Sequence, residues 1–227
     1  SISWNKFYFD FSKNKINVKT MSLFNELLNE IKLKSSIKKY FEGEKINTSE
    51  SRSVLHTALR ADKDDKIFID DENIVPKISQ AKNKMRLFTE KVLSGFHKGF
   101  KGENIDTVVN IGIGGSDLGP SMVIESLSYY KNHINTHFIS NIDGDHIHGI
   151  LEKINPETTL FIIVSKTFTT IETLTNANTA RDWFLKNTKE EDIPNHFVAV
   201  TSNVENAVDF GIKPENIFPM WDWVGGR

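Results

Sequence analysis

Two short runs of this 227-residue chain concentrate groups suited to holding an anion. One reads Gly112-Ile113-Gly114-Gly115-Ser116-Asp117-Leu118-Gly119-Pro120 and follows an apolar segment of strand character. Glycines at a strand-to-helix turn let backbone N–H groups converge, and the dipole of the next helix favours negative charge. The other reads Ser165-Lys166-Thr167-Phe168-Thr169-Thr170, with four hydroxyls and a lysine in six residues. Hydroxyls donate to the oxygens of a compact dianion, and the first amides of a following helix complete its shell. A third run closes the chain, Met220-Trp221-Asp222-Trp223-Val224-Gly225-Gly226-Arg227. A guanidinium is permanently charged and can stabilise a developing oxyanion, and glycine beside it allows close backbone approach.

Each run also has a plainer reading. The glycine run can be a tight turn without a ligand. The hydroxyl run can be a polar loop whose threonine caps the next helix. The tryptophans of the last run can be core residues, with the glycines making a turn. A dinucleotide fingerprint is disfavoured, because its third glycine falls at Asp117, whose carboxylate would face a pyrophosphate. No Gly-Lys-Ser/Thr follows, so this is not a nucleoside-triphosphate loop. Glu172, just past the hydroxyl run, invites the role of general base, but a Glu there more ordinarily complements the helix dipole, as does Asp117. His146 and His148 lie two apart beside Asp143 and Asp145. On a helix, positions i and i+2 do not share a face, which argues against a metal site. His56 reads as a histidine packed among helical apolar residues, and Lys38-Lys39 as a solvated pair.

The elements that must carry these runs change in texture near residue 100. Before it the pattern is helical. Leu23, Phe24, Leu27, Leu28 and Ile31 share one helical face, and a basic stretch follows as far as Gly43. Asn47, with Glu50 three residues on, resembles a capping box and predicts a helix through Val54, Leu55, Ala58 and Leu59. A third helix is predicted from Pro76, with Ile78, Ala81, Met85, Phe88 and Val92 as its stripe. Ile67-Phe68-Ile69 predicts a small strand.

After residue 100, strands are predicted over 107–113, 136–140, 159–165, 197–201 and 217–220. Helices are expected near 122–128, 145–154, 172–185 and 204–210. This alternation predicts an α/β fold, with a five-stranded, doubly wound parallel sheet over residues 101–227 and an N-terminal helical segment over residues 1–100. The apolar run at 160–164 suits a central strand buried on both faces. In the strand order 2-1-3-4-5, strands one and three are neighbours and their connections leave in opposite directions, opening a crevice at the carboxyl edge. The glycine loop follows strand one and the hydroxyl loop follows strand three. Both therefore face one crevice, and a phosphorylated small molecule is the expected ligand.

Composition narrows the partners. Lys plus Arg number 28 against 30 Asp plus Glu, a net charge of −2, so no basic excess exists for a nucleic-acid backbone. With no Cys, disulfides, thiolate catalysis and Cys-ligated zinc are all removed, which fits a reducing compartment. The apolar run at 160–164 is far short of the ~20 residues of a membrane helix, so no membrane association is expected. The chain opens at Ser1 and stops directly after Gly225-Gly226, and is expected to be part of a longer protein.

Residues 112–120, 159–170 and 221–227 closely resemble the glucose-6-phosphate isomerase family. Gly43-Glu44-Lys45-Ile46-Asn47, Arg52, Val54-Leu55-His56 and Ala58-Leu59-Arg60 are similar to the same family's N-terminal segment. The resemblance runs from about Gly43 to Arg227. It implies a flavodoxin-like sugar-isomerase (SIS) domain from a two-SIS-domain enzyme that is cytoplasmic and homodimeric, with the second SIS domain lying beyond this chain. It implies glucose 6-phosphate and fructose 6-phosphate as substrates, interconverted in glycolysis and gluconeogenesis through a cis-enediolate without a cofactor or metal. Carried over by motif, Gly115 and Ser116 line the sugar-phosphate site, Ser165, Lys166, Thr167 and Thr170 hold the phosphate, and Arg227 stabilises the enediolate. The family's proton-transfer glutamate and its ring-opening histidine and lysine belong to motifs that follow Arg227. Ile171 departs from the family, where many members have Gln. Two rival readings are a lone SIS domain that senses a sugar phosphate, which leaves the tryptophan-rich end unexplained, and a nicotinamide oxidoreductase, which Asp117 disfavours.

Overall fold

A computed structural model describes residues 1–225. The chain opens with an antiparallel hairpin, β1 (Ile2–Trp4) and β2 (Phe7–Phe9), followed by helices α1 (Val18–Glu30) and α2 (Leu33–Glu42). Asn17 and Thr20 cap α1 reciprocally: Asn17 Oδ1 accepts from Thr20 N at 3.0 Å, and Thr20 Oγ1 accepts from Asn17 N at 3.3 Å. Gly43, at φ 78°, ends α2 in the left-handed conformation that glycine adopts without steric cost. None of residues 1–42 is buried.

The helix expected through Val54 and Leu59 is a loop with a single 3-10 turn at Ala58–Arg60. Asn47 Oδ1 does accept from Glu50 N, at 3.3 Å, but Asn47 and Arg52 then pair as an antiparallel bridge that closes a turn. Tertiary burial decides the outcome. Leu55 and Ala58 sit at 0% exposure in a cluster with Ile74, Ile78 and Trp223, and an extended approach reaches that cluster. The short β3 (Phe68–Ile69) pairs with β4 (Glu72–Asn73), and α3 (Val75–Leu93) starts with Pro in its first turn, where no N–H is needed.

The remaining chain alternates strand and helix: β5 (Thr107–Ile111), α4 (Gly115–Ser126), β6 (Asn135–Ile139), α5 (Gly144–Leu151), β7 (Thr159–Val164), α6 (Ile171–Leu185), α7 (Ile193–His196), β8 (Phe197–Thr201), α8 (Val204–Asp209) and β9 (Ile217–Pro219). The five strands form one parallel sheet in the order β6-β5-β7-β8-β9, as the doubly wound reading requires. On one face Val109, Ile111, Phe161, Ile163, Phe197 and Ala199 pack against α5 and α6 through Ile147, Ala177, Ala180 and Phe184. On the other, Leu160, Val198 and Phe218 meet Val92 and Phe88 of α3. The change in texture near residue 100 is therefore not a gap in packing, because α3 lies on the sheet.

α4 starts seven residues earlier than its periodicity suggests and contains Pro120. A proline at that position cannot donate to the carbonyl four residues back, that of Ser116. Asn110 Nδ2, on β5, donates to the Ser116 carbonyl at 3.1 Å instead. The acceptor orphaned by proline is thus satisfied from the neighbouring strand, and the helix continues through a residue that ordinarily breaks one.

Candidate functional site

The sheet is parallel and β5 lies between β6 and β7, so the loops after β5 and β7 leave the same carboxyl edge at the point where the strand order reverses. Both anion-seeking runs are there. After β5, Gly112 N donates to Ile139 O at 3.1 Å, which keeps the loop on the sheet. A Cβ on Gly112 would lie 2.8 Å from Ser116 Cβ and 2.9 Å from Ser116 O, so only glycine lets α4 start this close to the strand. Gly114, at φ 60° and ψ −122°, makes the turn into α4, and Gly115 and Ser116 form the first turn of that helix. Asp117, also in the first turn, is buried at 8% exposure, and its Oδ1 has no hydrogen-bond partner among the described residues. It complements the positive end of the helix.

The hydroxyl run is a tight turn between β7 and α6. Phe168 N donates to Ser165 O at 3.2 Å, and Phe168 adopts φ 52°, a left-handed conformation uncommon for an aromatic residue. Its ring holds it there, 2% exposed and edge-on to Phe210 at 6.0 Å, while Asn206 Nδ2 donates to its carbonyl at 3.4 Å. Burying this one ring drives its neighbours outward: Thr167, Thr169 and Thr170 are exposed at the carboxyl edge. Ser165 Oγ, buried, lies 3.4 Å from Thr170 Oγ1, and Thr169 Oγ1 donates to Thr167 Oγ1 at 2.7 Å. Thr170 is the N-cap of the 15-residue α6, yet its side chain makes no capping hydrogen bond. The plainer reading of this run, a polar loop that caps the next helix, is not what the side chains do. The positive end of α6 is left facing a ring of hydroxyls, an arrangement that fits a compact dianion.

Lys166 stands apart from its neighbours. Its carbonyl accepts from Ser202 N at 2.9 Å, Ser202 Oγ at 2.6 Å and Thr201 Oγ1 at 3.0 Å, pinning the turn to the end of β8. Its ammonium reaches the loop after β9, donating to Asp222 O at 2.7 Å and Val224 O at 2.6 Å. Burial and then the nearby Arg52 guanidinium hold its pKa below the usual lysine value, while Asp222 and Glu50 act the other way. Gly115, Ser116, Ser165, Thr167 and Thr170 are thus gathered at one edge, with the Lys166 backbone among them and its charge spent on a neighbouring loop. Gly226 and Arg227 lie outside the described residues.

The remaining candidates have other roles. Glu172 is exposed in the first turn of α6. Asp143 caps α5, its Oδ1 accepting from Asp145 N at 2.9 Å and His146 N at 3.2 Å, and His148 Nε2 lies 3.0 Å from Glu152 Oε1. Among the described residues no three His, Cys, Asp or Glu side chains converge to hold a metal, and no helix is long and apolar enough to cross a membrane. A concavity of about 860 Å³ is an apolar groove beside Val92, Val123, Leu127 and Leu160, away from the hydroxyl run. His56, expected among helical apolar residues, is outside any helix, and its Nε2 lies 3.1 Å from Gly225 N and 3.0 Å from Gly225 O. Sequence reasoning missed Asn176, 3% exposed, which donates to Asn141 O at 2.8 Å and fixes the loop after β6 against α6. Both contacts join segments far apart in sequence, and no local pattern announces either.

Known proteins are similar to this chain in sequence and in fold. A curated glucose-6-phosphate isomerase of Christiangramia forsetii is 55% identical over 227 residues, covering 100% of this chain and 42% of the relative. One from Buchnera aphidicola subsp. Schizaphis graminum is 54% identical over 224 residues, covering 98% of this chain and 40% of the relative. This chain therefore spans about two fifths of the length of these relatives. The crystal structure of a glucose-6-phosphate isomerase from Chlamydia trachomatis superposes with a TM-score of 0.71 at 28% identity, over 93% of this chain and 40% of that one. A hypothetical protein of Thermus thermophilus, 24% identical with a TM-score of 0.51 over 65% of this chain and 32% of that one, shares the fold. The model of the phosphoglucose isomerase family matches residues 10–227, nearly the whole length, and the chain belongs to that family.

Proposed function

We propose that this chain forms the N-terminal part of a glucose-6-phosphate isomerase, a cytoplasmic, homodimeric enzyme that interconverts glucose 6-phosphate and fructose 6-phosphate. The observation that carries this reading is the hydroxyl turn at the switch point, with Thr170 uncapped and the positive end of α6 open beside it. In this reading residues 101–227 are the sugar-phosphate-binding unit. Ser165, Thr167 and Thr170 donate hydroxyl hydrogens to the phosphate, the Lys166 backbone and the first amides of α6 complete the shell, and Gly115 and Ser116 line the sugar. A base removes the C2 proton of the open-chain aldose, and the C–H electrons form the C1=C2 double bond as the carbonyl electrons move onto O1. Return of the proton to C1, with transfer of the O2 hydroxyl proton to O1, leaves the ketone at C2. Arg227 stabilises the oxyanion without changing its own protonation state. The base and the ring-opening groups come from the part of the full-length polypeptide that follows this chain, in a second SIS domain. Proton transfer of this kind needs acid–base groups and oxyanion stabilisation but no metal or nicotinamide. The same reaction serves glycolysis in one direction and gluconeogenesis in the other.

Thr170→Val in the full-length enzyme removes one hydrogen bond to a charged oxygen, about 1.5–3 kcal/mol, which weakens sugar-phosphate binding roughly 10–150-fold. Inorganic phosphate competes at the same site in the parent enzyme. Unchanged affinity of the variant by calorimetry overturns the phosphate assignment.

A further inference from the structure

The hydroxyl turn is gripped from behind by the corner between β8 and α8. The carbonyl of Lys166 accepts from Ser202 N at 2.9 Å, Ser202 Oγ at 2.6 Å and Thr201 Oγ1 at 3.0 Å. Two residues on, Asn206 Nδ2 donates to the carbonyl of Phe168 at 3.4 Å. The corner is itself braced. Thr201 is fully buried, and its Oγ1 accepts from Asn203 N at 3.0 Å. Asn203 Oδ1 in turn accepts from Asn206 N at 3.1 Å and caps α8. Thr201 O also accepts from Met220 N at 3.0 Å, which ties the end of β9 to the same residue.

The peptide bonds of this turn are trans, so each N–H points opposite to the C=O of its own planar group. With the carbonyls of Lys166 and Phe168 turned toward the corner, the amides of Thr167 and Thr169 face away from it. Both threonines are exposed on that side, and neither amide has a hydrogen-bond partner among the described residues. A carbonyl oxygen has two lone pairs, and three donors around the one of Lys166 hold its peptide more firmly than a single bond would. Bonding at the C=O end also polarises the N–H end of the same group, because hydrogen bonds in a chain strengthen one another. We propose that Thr201 and Ser202 are positioning residues for anion binding: their hydroxyls hold the Lys166–Thr167 peptide with its N–H aimed at the phosphate. Neither side chain takes part in the hydrogen bonds among Ser165, Thr167, Thr169 and Thr170, so both act through the backbone of the turn.

The inference rests on the phosphate site proposed above, and the test separates the two. In the full-length enzyme, Ser202→Ala is expected to raise KM for fructose 6-phosphate and the inhibition constant of inorganic phosphate together, roughly 2–5-fold. The double variant Thr201→Val with Ser202→Ala leaves only the Ser202 amide on the Lys166 carbonyl, and raises both constants roughly 10-fold. In each, kcat stays within about twofold, because a phosphate held equally in the ground and transition states contributes to binding alone. Thr201→Ser keeps the hydroxyl and the parental constants. Thr201→Val also leaves Asn203 N without its acceptor, so Ser202→Ala, at an exposed position, is the test if the double variant does not fold. Parental constants in the double variant, or in Ser202→Ala where only that variant folds, overturn the inference. So does a loss confined to kcat, which a merely structural role would give. Unchanged phosphate inhibition in Thr170→Val overturns instead the phosphate site itself, and this inference with it.

Discussion

Residues 1–42 and the α/β unit after residue 100 both carry amphipathic elements, and only one of the two has a core. In the α/β unit, Phe161, Phe184 and Phe197 are fully buried, and Phe161 stacks on Phe197 at 4.8 Å. In the N-terminal arm, Phe7, Phe9, Phe24 and Phe41 are 47% exposed or more. Among the described residues, the hydrogen bonds and ion pairs made by residues 1–42 all stay within residues 1–44. A helical stripe of apolar residues is thus sufficient to specify a helix, as in α1, but burial requires a surface that faces it. Sheet strands differ because a parallel sheet assembles its own opposing surfaces when α5 and α6 cross over it.

Substitutions of matched type are the sharpest way to break this contrast. Phe161→Ala should lower unfolding stability by about 3–5 kcal/mol, because the cavity it leaves is lined by rings that cannot all collapse into it. Phe24→Ala, the same change in the arm, should cost no more than about 0.5 kcal/mol. Urea denaturation of both variants reads the difference, and equal losses would mean that the arm is part of the cooperative unit.

A second, smaller effect uses acid. His196 is fully buried, its Nδ1 donates to Thr159 O at 2.6 Å, and its Nε2 accepts from Phe100 N at 2.9 Å. With both ring nitrogens used in this way the imidazole is neutral, and burial pushes its pKa below the usual 6.5, against the opposing pull of the Thr159 carbonyl. The folded state therefore resists a proton that the unfolded chain accepts. The stabilisation is complete above pH 6.5 and is lost as the pH falls below that value toward the depressed folded pKa. The denaturation midpoint of the α/β unit should drop between pH 7.5 and about pH 5.5, and His196→Gln should flatten that drop. An identical pH slope in the variant would assign the acid sensitivity to other groups.

The smallest expected effect is that of removing residues 1–42. Unfolding of residues 43–227 by heat should change by less than about 1 kcal/mol, since no buried residue is lost. A large loss of stability on truncation would show that the arm's apolar side chains stabilise the rest of the chain.

Local chemistry was legible from sequence, and long-range contact was not. The five strands and the two loops follow from periodicity and turn residues, the strand order is the one expected of a doubly wound sheet, and each observed strand lies within two residues of its expected bounds. The Asn47–Glu50 pattern misled because the hydrogen bond that defines a cap forms in both outcomes, and what decides between them is Trp223, far along the chain. Lys166 reads with its neighbours as an anion ligand, and the structure adds that its ammonium donates to carbonyls of residues 222 and 224, whose proximity no spacing rule contains. The early start of α4 was hidden for a similar reason, since Pro120 is tolerated through Asn110 on an adjacent strand.

The left-handed Phe168 has a consequence for the thermodynamics of recognition. Holding a bulky residue at φ 52° costs on the order of 1–3 kcal/mol, and burying its ring returns a comparable amount, about 1.5–3 kcal/mol. That balance is struck when the chain folds. The hydroxyls of Thr167, Thr169 and Thr170 are therefore fanned outward before any anion arrives, and the backbone entropy lost in shaping the turn belongs to folding and not to binding. A ligand meeting such a turn loses its own freedom and displaces water, and asks little further order of the protein. In the proposed phosphate role, affinity at this turn would be governed from beneath, by an aromatic ring that is itself buried.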